Sequence, residues 1–181
     1  MAGAAVATRV GADNTRPSAG GGKAASAAFK TIDWNDLAPK DWDAFKRFQD
    51  ANLGGLSDNN PEAQKMLNDM RAIWDNAPTV SSMNGAAVKL AGYIVPLEEP
   101  KAGLKEFLLV PYFGACIHTP PPPANQIVHV VASKPVQGFR TMDAVWVSGT
   151  LKTVRQESVM GTSGYQMQVE AVDRYEPPKR P

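Results

Sequence analysis

Five short apolar segments in the C-terminal half of the chain constrain the fold most. From Ala87 onward apolar residues alternate with polar ones or form brief runs between glycine, proline and polar residues, a pattern typical of β-strands. The segments cover residues 87–97, 105–112, 126–132, 144–153 and 164–175. Gly149 interrupts the fourth and is expected to mark a bend. The pattern predicts a small five-stranded β-barrel of the OB type, with a flexible loop over residues 157–164 at one mouth.

Two helices are predicted before the barrel. Pro39 fits the first turn of a short helix that carries three aromatic residues on one face: Trp42, Phe45 and Phe48. Asn60 can cap a second helix that starts at Pro61 and ends before Ala77. Its apolar residues recur at helical spacing: Ala63, Met66, Leu67, Met70, Ile73 and Trp74. The expected fold is therefore an α+β domain, with two N-terminal helices packed on the barrel.

The two ends of the chain differ from the middle in composition. Residues 1–30 are rich in alanine, glycine and serine, so we expect a disordered spacer there. This stretch has no charged start followed by an apolar run, so it does not match an intact signal peptide. It resembles the spacer that follows a removed signal or a lipidated cysteine. We expect one globular domain over residues 31–177, helical over 31–80 and barrel over 87–175, with a tail at 178–181.

Composition and charge exclude several classes of protein. The chain is 43% hydrophobic and 20% charged, which is ordinary for a globular domain. Its 19 basic and 18 acidic residues give a net charge of +1, which argues against a nucleic-acid partner. No apolar run approaches the roughly 20 residues that span a bilayer, so no transmembrane segment is expected.

The chemistry-bearing residues are concentrated after the second predicted strand. The only cysteine of the chain, Cys116, lies two residues before His118, so their side chains share one face of an extended segment. A run of four prolines, 120–123, stiffens the chain that follows. Thiolate and imidazole together suit zinc or copper. The motif therefore predicts a transition-metal site.

Two ligands are fewer than a structural zinc ion usually takes, so the site needs further residues. His129, Glu98 and Met160 are the candidates that could complete it. The alternative is purely structural, with Cys116 as a small buried residue and His118 supporting the proline turn. His129, which lies among β-branched residues, fits a hydrogen-bonded core histidine as well as a ligand. The sequence leaves these alternatives open.

A cysteine–histidine enzyme is a weaker interpretation of the same motif. Side chains at i and i+2 on a strand are about 6–7 Å apart at Cβ, which is long for direct proton transfer. The surrounding string matches no recognised peptidase or transferase pattern. We therefore assign no catalytic residue and favour a binding protein over an enzyme.

Two strings of the sequence resemble the signature of a known family. GYIVPLE at residues 92–98 and FLLVPYFGACIHTPPPPANQIV at 107–128 are similar to the bacterial domain-of-unknown-function family 3299. The resemblance extends over about residues 31–177. It implies an exported protein without an established activity. Some family members are encoded near ABC-transporter components and genes that respond to zinc supply.

The combined expectation is a periplasmic accessory protein linked to an ABC-type transporter, handling zinc or copper through Cys116, His118, His129 and Glu98. The alternative is a metal-free docking module for a transporter component. Its expected surface consists of residues around the motif: Tyr112, Phe113, Ile117, Pro120, Pro121, Asn125 and Gln126. Asn125 and Gln126 are also expected to hydrogen-bond the backbone of the proline crossing.

Overall fold

The structure is a computed structural model that describes residues 29–44, 46, 60–98, 103–115 and 121–176. Residues 1–28 and 177–181, which hold nearly all of the expected spacer and the whole expected tail, lie outside the described part, whereas Lys30, the last residue assigned to the spacer, belongs to the first strand. The elements in chain order are β1 (Lys30–Thr31), α1 (Pro61–Asp75), β2 (Ala87–Pro96), β3 (Leu104–Val110), β4 (Val128–Val136), β5 (Ala144–Lys152), β6 (Gln156–Ser158), β7 (Gly161–Ser163) and β8 (Tyr165–Arg174).

Five strands close into a mixed barrel. β2 pairs with β3, β3 with β4, and β8 with β5, all antiparallel, whereas β4 and β8 run parallel. Antiparallel pairing of β5 with β2 closes the ring. All five predicted barrel strands are confirmed, with ends shifted by a few residues. The short β1 adds a parallel strand beside the start of β2 and was not predicted.

Alternation along the strands separates an interior core from a second cluster on the outside. On β3, Phe107 and Leu109 belong to the interior, whereas Leu108 and Val110 face outward. We call the second group the outer cluster; its buried members are Val95, Leu108, Val110, Ala115 and Ile127. Because β3 carries apolar side chains on both faces, its outward-facing side chains also need to be covered from solvent.

The β6–β7 hairpin provides that cover. The sequence predicted a flexible loop at one mouth over residues 157–164, but here the chain forms two paired three-residue strands. Met160, at the hairpin turn, packs against the outer cluster, and Val159 beside it is 93% exposed. Strands this short carry too little periodicity to be recognised in a sequence.

The expected bend in the fourth barrel strand is a register shift in β5. The pairing of β5 with β8 slips between Ser148 and Gly149. A Cβ atom on Gly149 would collide with the backbone oxygen of Gln168 on β8. The glycine therefore permits a close approach of two backbones rather than a special backbone angle.

One helix is confirmed and the other is not shown. α1 starts at Pro61 as predicted, and the side chain of its cap Asn60 accepts a hydrogen bond from the Glu62 amide at 2.8 Å. The described residues contain no second α-helix: the Trp42 amide bonds the Pro39 carbonyl in an isolated turn, and Phe45 and Phe48 lie outside the described part. Within the described residues the domain is therefore mostly β rather than α+β.

The 3-10 helix Trp34–Leu37 follows β1, and we call it the strap because specific hydrogen bonds tie it to the barrel. Leu37 is fully buried in the interior core, and its carbonyl accepts from the Tyr165 hydroxyl at 2.9 Å. The same hydroxyl accepts from the Val80 amide at 2.7 Å. Trp34 donates its indole N–H to the Ala91 carbonyl on β2 at 2.7 Å. One buried tyrosine thus joins the strap, the linker after α1 and β8.

Candidate functional site

The candidate site surrounds the segment that follows β3. Ala115 is fully buried in the outer cluster and is the last described residue before the gap. Gly114 has a φ of +84°, and its amide donates to the sulfur of Met142 at 3.3 Å. Met142 itself has a φ of +66°, an uncommon conformation for a residue with a Cβ atom. The segment is therefore attached firmly at its start.

The described chain resumes at Pro121, so Cys116, Ile117, His118 and Pro120 lie outside the described residues. Pro121 packs beside Gly161, because a Cβ atom on that glycine would lie 2.8 Å from the Cβ of Pro121. Both described ends of the five-residue gap thus contact the barrel or the hairpin that covers it.

Two aromatic side chains of the expected docking surface are exposed. Phe113 is 68% exposed and Tyr112 is 45% exposed. The Phe113 ring meets the ring of Tyr93 edge-on, with centroids 5.9 Å apart. Large exposed aromatic side chains beside each other are typical of protein interfaces, because they supply contact area with little loss of conformational freedom.

Asn125 and Gln126, which were also expected on that surface, hold the chain together instead. Asn125 is fully buried and donates to the Pro78 carbonyl at 2.9 Å. Gln126 donates to the Trp34 carbonyl at 2.9 Å, and to the Asn125 carbonyl within the crossing. Only the last of these bonds supports the proline crossing itself. The other two join it to the linker after α1 and to the N-terminal strap.

His129 lies on the outer face of β4, where it is almost completely buried. Its Nδ1 is 2.8 Å from Oε1 of Gln156 on β6, and its Nε2 is 3.2 Å from Oε2 of Glu106 on β3. Both ring nitrogens thus have partners, and a metal ion could bind His129 only by displacing one of them. Sequence reasoning missed Glu106 and Gln156, because strand register and the hairpin bring them to the imidazole.

The described residues do not assemble the predicted ligand set. Glu98 follows β2 and is exposed. Among the described residues, no three His, Cys, Asp or Glu side chains lie close enough together to hold a metal ion. Met160 is half-buried against the outer cluster. Since Cys116 and His118 are not described, the metal site stays a prediction.

A groove that the sequence did not predict runs between α1 and the β6–β7 hairpin. The part beside α1 has a volume of about 190 Å³ and is lined by both apolar and polar side chains of the helix: Leu67, Met70, Trp74, Gln64, Asn68, Arg71 and Asp75. Its polar part, of about 380 Å³, adjoins the hairpin. Pro121 and Arg71 line both parts. The sequence showed the apolar stripe of α1 and the residues of the hairpin, but no pattern in it indicated that a groove would form between them.

Comparison with known proteins identifies the family. The model of the family described as "Protein of unknown function (DUF3299)" matches residues 34–174. The chain belongs to this family. The resemblance seen in the sequence is thereby confirmed. No curated protein matches the chain.

A crystal structure of another DUF3299 family protein, from Pseudomonas aeruginosa PAO1, is similar to this DUF3299 chain. The two are 36% identical, and the match covers 83% of this chain and 98% of that one, with a TM-score of 0.64. Among the described residues, no helix is long and apolar enough to cross a membrane.

Proposed function

We propose that this DUF3299 protein is a periplasmic accessory protein that binds a transition metal, zinc or copper, through Cys116 and His118. The observation that carries the proposal is the attachment of both described ends of the motif segment. Ala115 is buried in the outer cluster, and Pro121 packs beside Gly161. Fixed ends reduce the conformational entropy that a short segment loses when it chelates an ion.

His129 and Glu98 remain the proposed further ligands. The surroundings of His129 support a role as a ligand once one of its ring nitrogens is released. A carboxylate on one ring nitrogen is the arrangement that orients metal-binding imidazoles, and Glu106 supplies it at Nε2. The other nitrogen, Nδ1, would become available if Gln156 moved away with the hairpin. In this proposal the hairpin regulates access to the third ligand.

The barrel is proposed to be of the OB type. The ring order β2-β3-β4-β8-β5, with the one parallel pair between β4 and β8, supports this assignment. In OB folds the loops at the barrel mouth and the outer face of neighbouring strands carry the ligand sites. The proposed metal segment leaves the barrel from the end of β3, on the same outer side as His129.

Metal analysis of untagged protein purified without chelator tests the metal proposal. We expect stoichiometric metal, and a stability gain of about 2.7 kcal/mol at a hundredfold excess over the dissociation constant. Cys116→Ser and His118→Ala should each abolish most of that gain, while Glu170→Gln, an exposed carboxylate on β8, should keep it. Affinity should fall with falling pH, because the ligands must lose protons to bind. If neither zinc nor copper changes the melting temperature of the wild type while the Cys116 thiol is reduced, the proposal is overturned.

The second candidate function is a metal-free docking module for an ABC-type transporter component. The exposure of Phe113 beside Tyr112 favours it, since exposed aromatic side chains often anchor interfaces. A photoreactive residue at Phe113 should crosslink to a transporter subunit in cells. The same residue at Val159, which is more exposed but sits at the hairpin tip, is the control. Labelling that is equal at both positions would contradict docking through Phe113.

A cysteine–histidine enzyme remains the weakest of the candidates. His129 is the only described histidine, and it is buried with both ring nitrogens engaged. Catalysis by Cys116 would therefore depend on His118 alone as its base.

A further inference from the structure

The groove between α1 and the β6–β7 hairpin presents two opposite charges that are not spent on each other. Arg71 and Asp75 lie one turn apart on α1 and line both parts of the groove. Lys65 and Asp69 have the same spacing and form an ion pair at 2.7 Å. No ion pair joins Arg71 to Asp75, or either of them to another described side chain. Both charges are therefore available to a ligand.

Glu157 on β6, the third charged residue that lines the groove among the described residues, is already neutralised. Its Oε1 is 3.2 Å from Nη2 of Arg155. The same guanidinium donates to the Asp75 carbonyl and, at 2.8 Å, to Oδ1 of Asn76. Arg155 thus holds the end of α1 beside the start of the hairpin, and the carboxylate of Asp75 is left as the unpaired acid of the groove.

Thr162 on β7 adds a hydroxyl group that no described residue engages. This residue is only 6% exposed, yet it lines the polar part of the groove. Its hydroxyl makes no hydrogen bond to the described residues. Among those residues, the one enclosed side-chain oxygen or nitrogen without a partner is Oδ1 of Asn125, so the Thr162 hydroxyl is open to the groove. Because buried polar groups are normally hydrogen-bonded, this hydroxyl indicates a polar ligand.

The two parts of the groove differ in size and in chemistry. The polar part, of about 380 Å³, is within the range of about 300–1,000 Å³ that is typical of small-molecule sites. The part beside α1, of about 190 Å³, equals the liquid volume of about six water molecules. Leu67, Met70 and Trp74 line this second part, so it suits an aliphatic or aromatic side chain.

We propose that the groove binds a free α-amino acid with an apolar side chain, a function independent of the metal and docking proposals. Arg71 binds the carboxylate of the ligand, because the guanidinium fork matches a carboxylate. Asp75 binds its ammonium group, and Thr162 donates a hydrogen bond to its carboxylate. The apolar side chain occupies the part beside α1. A ligand with a single charge fits less well, because Asp75 repels an anion and Arg71 repels a cation.

Calorimetric titration of the full chain with L-leucine tests this site, with a chelator present so that leucine cannot bind through a metal ion. One leucine should bind per chain. N-acetyl-L-leucine, which lacks the ammonium group, and L-leucinamide, which lacks the carboxylate, should each bind at least about tenfold more weakly. A dissociation constant above about 10 mM for both leucine and L-phenylalanine would overturn the proposal. Equal binding of the two derivatives, or tighter binding of the dipeptide leucyl-glycine, would overturn it as well.

Variants of the charged residues should each remove one preference of the site and keep the other. Arg71→Gln should bind leucine and leucinamide equally, and Asp75→Asn should bind leucine and N-acetyl-leucine equally. Thr162→Val should weaken leucine binding about tenfold, with little change in melting temperature, because its hydroxyl bonds no described residue. Asp69→Asn, on the same helix but outside the groove lining, is the matched control and should keep both preferences. Both preferences retained in Arg71→Gln and Asp75→Asn would contradict the proposal.

Discussion

Tyr165→Phe isolates the contribution of one buried hydroxyl to the stability of the domain. The hydroxyl donates to the Leu37 carbonyl and accepts from the Val80 amide, at 2.9 and 2.7 Å, and the tyrosine ring is fully buried. The substitution keeps the ring and leaves both backbone groups without this partner. A buried polar group that loses its hydrogen bond costs about 1–3 kcal/mol. For the two groups together we expect a loss of about 2–3 kcal/mol, the amide contributing most because it has no second way to bond.

Urea unfolding and thermal melting of the two proteins measure the effect. The expected loss corresponds to a melting temperature about 6–10 °C lower for a domain of this size. Tyr175→Phe is the matched control. Its ring contacts Trp146 at a tilt of 44°, and this contact survives the change, so the stability should fall by less than about 0.5 kcal/mol. Equal stability of Tyr165→Phe and wild type would refute the role of the hydroxyl as a tie between strap, linker and barrel.

Three further predictions follow from the contacts described above. Burial raises the pKa of Tyr165, so the folded protein holds this proton more tightly than the unfolded chain. The stability of the wild type should therefore fall as pH rises above about 10, and that of Tyr165→Phe should fall less. An equal fall in the melting temperatures of both proteins at alkaline pH would contradict this. Gly149→Ala should lower stability by about 1–3 kcal/mol in urea unfolding, because its Cβ would collide with the Gln168 carbonyl; an unchanged midpoint would mean that β5 and β8 can separate freely. His129→Leu should leave the side-chain oxygen Oε1 of Gln156 without its partner at Nδ1 and speed hydrogen exchange in β6 and β7; the interpretation fails if their exchange is unaltered.

The sequence alone was sufficient for the local elements whose signals lie within one segment. The two-residue periodicity located all five barrel strands, and Asn60 with Pro61 located the start of α1. Gly149 was correctly expected to mark an irregularity in β5. These features depend on neighbouring residues only, because strand alternation and helix capping are set by local geometry. The family signature, which is a string of adjacent residues, was likewise readable from the sequence.

Tertiary structure decided which distant residues meet. Periodicity shows that His129 faces one side of β4, but only the register of β3 against β4 and the folded hairpin place Glu106 and Gln156 on its two nitrogens. Asn125 and Gln126 looked like surface residues of a proline-rich crossing, yet most of their hydrogen bonds reach the strap and the linker after α1. Pairing register and barrel closure depend on contacts between segments far apart in the chain, which no local pattern encodes. The sequence alone therefore indicated which face of a strand each residue occupies, whereas the closed barrel determined which residue each polar side chain contacts.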